Sequence, residues 1–267
     1  MKKSKKLYLL LIFLYNNISC KPTNSEDRQE SETQAIVSES DYYKGIRTLA
    51  ASPLFMRSVP FGFAKDGCYA RALLMSAKLA LVDIPSTSFY ARTGEDSPPL
   101  ELDKNGEVIR WSYHVAPLLV VIKNQQVAPM IIDPSIAANY ALNVREWLAA
   151  FKADKPYVNL YARPGSCYFG EDPQRGCYRV DFQNQVLESQ LSQALIDSIH
   201  KMPKFMTSEL SQACKVLKDY GEVLKNQNRP TLGLTDIENV TRTMVNGLRN
   251  KGLLYEDALF DCFRSDY

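Results

Sequence analysis

The sequence predicts an α+β fold with a mixed helix-and-strand core and a helical C-terminal part. Gly67 precedes a helix-forming run from Cys68 to about Val82, whose apolar residues recur on one face. Two apolar strand-like runs follow, Val108 to Ile122 and Val127 to Ile132, with a hairpin-like break between them. From Leu187 onward the pattern is mainly helical and is interrupted by prolines and a glycine. The chain is long enough, at 267 residues, to bury a substantial core.

Shorter elements complete the prediction, and none of them belongs to an internal repeat or to a glycine-rich phosphate loop. A loop rich in Gly, Asp and Pro is expected before and through Asn105-Gly106, ahead of the two long strands. In chain order, the remaining elements are a helix over Asp41–Ala51, a strand over Ser88–Ala91, a helix over Val144–Lys152, and strands over Tyr157–Ala162 and Tyr178–Phe182.

The N-terminus has the features of a secretory signal peptide, which we predict over residues 1–19. Four lysines precede the apolar stretch Leu7 to Tyr15, and the small residue Ser19 precedes Cys20. This stretch is too short for a helix that crosses a bilayer. The ending Ile18-Ser19-Cys20 resembles a bacterial lipobox, so we expect lipidation of Cys20, with a plain secreted protein as the alternative. Either way the protein is predicted to be exported, to the cell envelope or the medium.

The sequence after the signal divides into three parts. Residues 20–40 are predicted to be a disordered tether, because Lys21 to Glu39 contain almost no large apolar residues. A globular domain is expected over residues 41–186, and a helical C-terminal extension over residues 187–267. If Cys20 is lipidated, the tether attaches this domain to a membrane.

The charge balance argues against a nucleic-acid partner. The chain has 32 basic and 30 acidic residues, and removal of the four signal lysines leaves 28 basic residues, a net charge of about −2. No dense Lys/Arg block remains to contact a phosphate backbone.

The cysteine count fits an oxidising compartment. Two of the six cysteines have other expected roles, lipidation for Cys20 and catalysis for Cys68. The remaining four are Cys167, Cys177, Cys214 and Cys262. The first two flank a turn-rich segment that could bring their sulfurs together, which leaves the last two for a second bridge. Four cysteines allow three pairings, so this one is a preference. No CxxC spacing occurs, and zinc is a poor interpretation.

Cys68 is the candidate nucleophile. The thiolate is the reactive form of a cysteine, and the unpaired N–H groups at the start of a helix stabilise negative charge there. The same N–H groups can form an oxyanion hole for a tetrahedral intermediate. The alternative is a buried structural cysteine, which is common because cysteine behaves as a small hydrophobe.

His114 and Asp133 are the candidate partners of Cys68. His114, one of two histidines, interrupts an apolar strand, and Asp133 ends the next one, where an unpaired buried carboxylate is costly. If they face each other across a hairpin, paired residue numbers sum to 247, which requires an even-numbered loop such as Lys123-Asn124 or Ile122 to Gln125. The alternatives are a core histidine bonded to backbone and a turn aspartate before Pro134.

Three segments together resemble the core motifs of bacterial protein-glutaminases, over roughly Gly62 to Asn139. They are Asp66-Gly67-Cys68-Tyr69-Ala70-Arg71-Ala72, Trp111 with Tyr113-His114-Val115-Ala116, and Ile132-Asp133-Pro134-Ser135. The resemblance implies a transglutaminase-like, papain-related core, in which the helix carrying Cys68 packs on an antiparallel sheet carrying His114 and Asp133. It also implies that Cys68 is the nucleophile, His114 the general base and acid, and Asp133 the residue that orients His114, with no metal or organic cofactor.

The activity that the resemblance implies is deamidation of glutamine side chains in proteins. Cys68 attacks the carboxamide, ammonia leaves, and water hydrolyses the thioester to glutamate. The expected partner is therefore a protein with an accessible glutamine. A transglutaminase or cysteine protease could use the same three residues, and a surface lipoprotein that only binds a partner is a third possibility. Protein-glutaminases resemble zymogens with a long pro-segment. About 47 residues separate Cys20 from Cys68, so we expect no comparable segment here.

Overall fold

The computed structural model describes residues 36–52, 67–92, 98–104, 106–137, 142–152, 157–161, 177–180, 202–228, 233–255 and 258–262. The α+β class predicted from the sequence is confirmed. The strands of these ranges are β1 Ile36–Ser38, β2 Thr87–Arg92, β3 Leu100–Lys104, β4 Glu107–Trp111, β5 Tyr113–Lys123, β6 Gln126–Ile131, β7 Leu142–Asn143, β8 Tyr157–Tyr161 and β9 Cys177–Val180. The helices are α1 Glu39–Ala50, α2 Cys68–Ala80, α3 Val144–Ala149, α4 Thr207–Asn226 and α5 Leu234–Asn250.

The larger of two sheets is built around β5. Its strand order is β7-β6-β5-β2-β8-β9, and β1 also pairs with β5. The β1–β5 pair is parallel and the other pairs of this sheet are antiparallel. β5 is buried from Tyr113 to Val121, which explains its nearly continuous apolar run. β3 and β4 form a separate two-stranded antiparallel sheet.

Hydrophobic side chains cover both faces of the larger sheet. Leu119 and Val121 of β5 belong to one cluster with buried residues of α1, α2, α4 and α5. Leu118 and Val120, which alternate with them, belong to a second cluster with residues of β3, β4 and α3. Helices therefore lie on one face and the small hairpin with α3 on the other. The two C-terminal helices share the core of the helix that carries Cys68.

Two segments expected to lack regular structure contain strands. Leu100 and Leu102 of β3 are buried and alternate with polar residues, so the loop predicted ahead of Gly106 is in part a strand. β1 and the start of α1 lie within the last residues of the predicted tether, because buried Val37 joins the helical core. The tether prediction thus applies only to residues before Ile36.

Several predictions fall outside the described residues. They concern the signal peptide, Cys20, most of the tether, Cys167, and residues 187–201 of the C-terminal extension. The Cys167–Cys177 bridge and the domain boundaries stay predictions. Within the described ranges, no helix has both the length and the apolar character needed to cross a membrane.

The disulfide predicted between Cys214 and Cys262 is present, and it closes a loop with a sequence separation of 48. It ties the C-terminal segment to α4. We expect the variant Cys214→Ser/Cys262→Ser to lose about 2–4 kcal/mol of unfolding free energy, because the open chain gains conformational entropy when unfolded. Urea denaturation of oxidised wild type and variant measures the difference. An unchanged midpoint would contradict the prediction, and reduction of the wild type should reproduce the loss.

Candidate active site

Cys68 is the first residue of α2, with Gly67 as the N-cap. Its thiol is free and buried. The first backbone hydrogen bond of the helix runs from the N–H of Arg71 to the carbonyl of Gly67 at 3.0 Å. The N–H groups of the turn before Arg71 have no acceptor inside the helix. Cys68 therefore lies where the helix can stabilise a negative charge, as the sequence predicted.

His114 is completely buried near the start of β5. Its ring lies among three aromatic rings, with centroid distances of 4.7 Å to Trp111, 5.9 Å to Trp147 and 5.5 Å to Phe151. β5 pairs there with β2, with Ala91 as the partner of His114. Strand pairing and the aromatic rings together restrict the imidazole to one orientation.

The register of the β5–β6 hairpin differs from the predicted one by two residues. Leu118 pairs with Ile131 and Lys123 with Gln126, so paired numbers sum to 249 and the predicted sum of 247 is wrong. The reason is the turn, Asn124-Gln125, in which both residues have positive φ, 51° and 64°, as a tight two-residue hairpin turn requires. An even shift leaves every side chain on its face, so His114 and Asp133 still meet.

Asp133 receives hydrogen bonds at both carboxylate oxygens. Oδ2 lies 2.8 Å from His114 Nε2 and accepts the indole N–H of Trp147 at 2.7 Å. Oδ1 accepts the backbone N–H of Ser135 at 3.0 Å and also the Ser135 hydroxyl. His114, Trp147 and the two Ser135 donors together hold the carboxylate in place. The backbone carbonyl of Asp133 also accepts the N–H of Ala137, so Asp133 is both a turn residue and a partner of His114.

Burial and charge act in opposite directions on the pKa of His114. Burial alone lowers it, but the charge and hydrogen bond of Asp133, with a smaller contribution from Cys68, raise it to about 9. Burial likewise raises the pKa of Asp133, yet His114, Arg71 and Ser135 hold it well below its usual range. The favoured state is therefore an imidazolium beside a carboxylate.

The second ring nitrogen of His114, Nδ1, is available for chemistry. It is buried, and within the described part of the chain no group makes a well-formed hydrogen bond to it. Cys68 nevertheless lies close enough to the imidazole to raise its pKa. The arrangement can therefore hold a proton near the thiol while Nε2 stays bonded to Asp133. No cluster of three or more potential metal ligands occurs among the described residues.

Three buried residues around Asp133 had no role in the sequence prediction. Ser135 and Arg71 lie inside the motifs, and Arg71 follows Cys68 by one helical turn. Trp147 is fully buried on α3, which begins with a capping box between Asn143 and Glu146. The capping residues are visible in the sequence, but nothing there shows that the indole reaches Asp133.

The segment that contains this cluster is similar to known proteins. Residues 40–151 match the family model described as glutaminase. The chain resembles the NMR structure of protein-glutaminase from Chryseobacterium proteolyticum, with 18% identity, coverage of 55% of this chain and 83% of that one, and a TM-score of 0.39. A crystal structure of protein-glutaminase gives 18% identity, coverage of 57% and 84%, and a TM-score of 0.39. A crystal structure of pro-protein-glutaminase gives 19% identity, coverage of 57% of this chain and 55% of that one, and a TM-score of 0.40.

No curated protein sequence matches the chain significantly. The matched segment contains Cys68, His114 and Asp133 together with the three residues that surround the carboxylate, and it ends before α4 and α5. The resemblance to the glutaminases that the three motifs indicated is confirmed by the family model over this segment. Residues 40–151, which are less than half of the chain, are similar to the glutaminase family.

Proposed function

We propose that the chain is an enzyme that deamidates glutamine side chains in proteins. The observation that carries this proposal is the buried hydrogen bond of His114 Nε2 to Asp133, which leaves Nδ1 free beside the cysteine at the start of α2. A nucleophile, a proton carrier and an orienting carboxylate are the groups that acyl transfer through a thioester needs. The match of residues 40–151 to glutaminases supports an amide as the bond that is broken.

The proposed acylation step begins with Cys68 as a thiolate. Its sulfur attacks the carbonyl carbon of the glutamine carboxamide, and the resulting oxyanion is stabilised by N–H groups at the start of α2. The His114 imidazolium, through Nδ1, then donates its proton to the amide nitrogen. The C–N bond breaks, ammonia leaves, and a thioester joins Cys68 to the glutamyl side chain.

The proposed deacylation step reverses the role of His114. The neutral imidazole accepts a proton from water, and the water oxygen attacks the thioester carbon. The C–S bond breaks, the glutamyl side chain leaves as a carboxylic acid that loses its proton to solvent and becomes glutamate, and Cys68 and His114 return to the ion pair. Throughout, Asp133 holds Nε2 and stabilises the imidazolium form. A core of transglutaminase and papain type is part of the same proposal.

The test is a mass measurement on a protein substrate. Purified chain is incubated with a casein-like protein, and released ammonia is compared with mass gains of about one dalton at glutamines, the change from amide to acid. Amine incorporation and peptide cleavage are assayed in parallel, because a transglutaminase or protease would use the same residues. We expect ammonia and mass gain in equal amounts.

The variant Cys68→Ala is expected to lose all of this activity and keep its fold, as checked by circular dichroism. Lys78→Ala, near the other end of the same helix and remote from the cluster, is the matched control and should stay active. A folded Cys68→Ala variant that still deamidates glutamine would refute the proposed chemistry. Folded wild type without ammonia release would favour the binding-protein alternative.

A further inference from the structure

Gly67, the residue before Cys68, is in close contact with a helix that lies outside the segment matched by the glutaminase model. Gly67 is buried, and its φ of −104° and ψ of −7° are open to any L-amino acid, so the backbone conformation does not require glycine. A Cβ atom built on Gly67 would lie 2.5 Å from Cε2 of Tyr220, 3.1 Å from Cδ2 and 3.2 Å from Cζ. The tyrosine ring thus occupies the space of a side chain at position 67.

Tyr220 belongs to α4, which begins more than fifty residues after the segment that matches glutaminases. α4 packs against α2, and its buried residues, Leu217 among them, share the core cluster of α2. The disulfide at Cys214 connects the same helix to the C-terminal segment. The ring of Tyr220 is therefore carried by a helix that core packing and the disulfide hold in place.

The contact of Tyr220 with Gly67 lies at the start of the helix that carries Cys68. The carbonyl of Gly67 accepts the first hydrogen bond of α2, from Arg71, and its peptide unit leads directly into the Cys68 N–H. Movement at Gly67 therefore moves both the sulfur and the nearest backbone donors for an oxyanion. A displacement of about 1 Å can cost on the order of a hundredfold in rate.

We propose that Tyr220 is a positioning residue of the active site: its ring packs on Gly67 and fixes the start of α2, so that the C-terminal helices are part of the catalytic unit. The inference rests on the proposed deamidase function. It explains why glycine is found at position 67, where the backbone conformation alone would admit alanine. It also assigns a role to a region that the glutaminase match leaves out.

The test compares four variants of the full-length chain for ammonia release and for hydrogen exchange at the Arg71 amide. Tyr220→Ala is expected to lower kcat about tenfold to a hundredfold with little change in KM, and to speed exchange at Arg71. Tyr220→Phe, which keeps the ring, should resemble wild type. Gly67→Ala should be strongly impaired by the clash, and Gly67→Ala/Tyr220→Ala should regain activity relative to Gly67→Ala.

Val223→Ala is the matched control, because Val223 lies on the same helix and is partly exposed. The inference is overturned if Tyr220→Ala equals Val223→Ala in kcat and in exchange, or if the double variant is no better than Gly67→Ala. Tyr220→Leu replaces Tyr220→Ala if the latter does not fold. If wild type releases no ammonia but exchange at Arg71 depends on Tyr220, the deamidase function fails and the packing role stands.

Discussion

Replacement of Asp133 by asparagine should lower the kcat of the proposed deamidation about 10⁴-fold, the effect of the same change in a serine-protease triad. Asparagine keeps the shape of the side chain and removes its charge. The charge and hydrogen bond of Asp133 are what raise the pKa of His114 to about 9 against the effect of burial. Without them, burial lowers that pKa, so the imidazole is neutral at pH 7 and lacks the proton for the leaving ammonia.

The pH profile separates this explanation from simple loss of structure. In wild type the imidazolium persists until the pH rises through about 9, so activity should show an alkaline decline as the pH rises through that value. In Asp133→Asn the alkaline decline should move to lower pH. Asp103→Asn, at a half-exposed carboxylate on β3, is the control and should leave rate and profile unchanged. If activity of Asp133→Asn declines at the same alkaline pH as activity of wild type, the role given to Asp133 is wrong.

Replacement of Trp147 by phenylalanine should destabilise the fold by about 1.5–3 kcal/mol, the usual worth of a hydrogen bond to a charged group. The indole N–H donates to Asp133 Oδ2 at 2.7 Å, and both residues are buried, so no water replaces the lost donor. Phenylalanine keeps most of the contact with Phe89 and Phe151. Urea denaturation measures the loss.

Trp111→Phe is the control for Trp147→Phe, because Trp111 also packs against His114 but does not donate to Asp133. The difference between the two variants isolates the hydrogen bond. The kcat of Trp147→Phe should fall less than that of Asp133→Asn, since Ser135 still binds the other carboxylate oxygen. Equal losses of stability in the two variants would show that the indole N–H contributes nothing.

The three candidate site residues could be picked out from the sequence because each one departs from the pattern of its neighbours. Cys68 follows a glycine at the start of a helical run, His114 is a polar residue within an apolar run, and Asp133 ends the next apolar run. The sequence also predicts that the paired residue numbers of the hairpin sum to an odd number. Burial of one face forbids a shift of the pairing by one residue, which would turn every side chain to the other face. The actual register could not be predicted, because it depends on the left-handed backbone of Asn124 and Gln125.

The residues that surround and position the candidate site could not be predicted from the sequence. Trp147 and Tyr220 lie on elements whose existence was predicted, but a helical period gives only the face of a residue and not its partner on a distant element. Gly67 was visible only as a helix-start signal. Its contact with Tyr220 connects positions about 150 residues apart, and no local pattern encodes such a pair.

The tight turn between β5 and β6 offers a place to attach a reporter. Asn124 and Gln125 are exposed, and along an extended strand they lie about 30 Å from His114. An insertion between them would remove the two-residue turn that sets the pairing of Lys123 with Gln126, so the reporter belongs on a side chain of the turn. A fluorophore placed on a side chain at one of these positions should leave the strand pairing and the hydrogen bond between His114 and Asp133 unchanged.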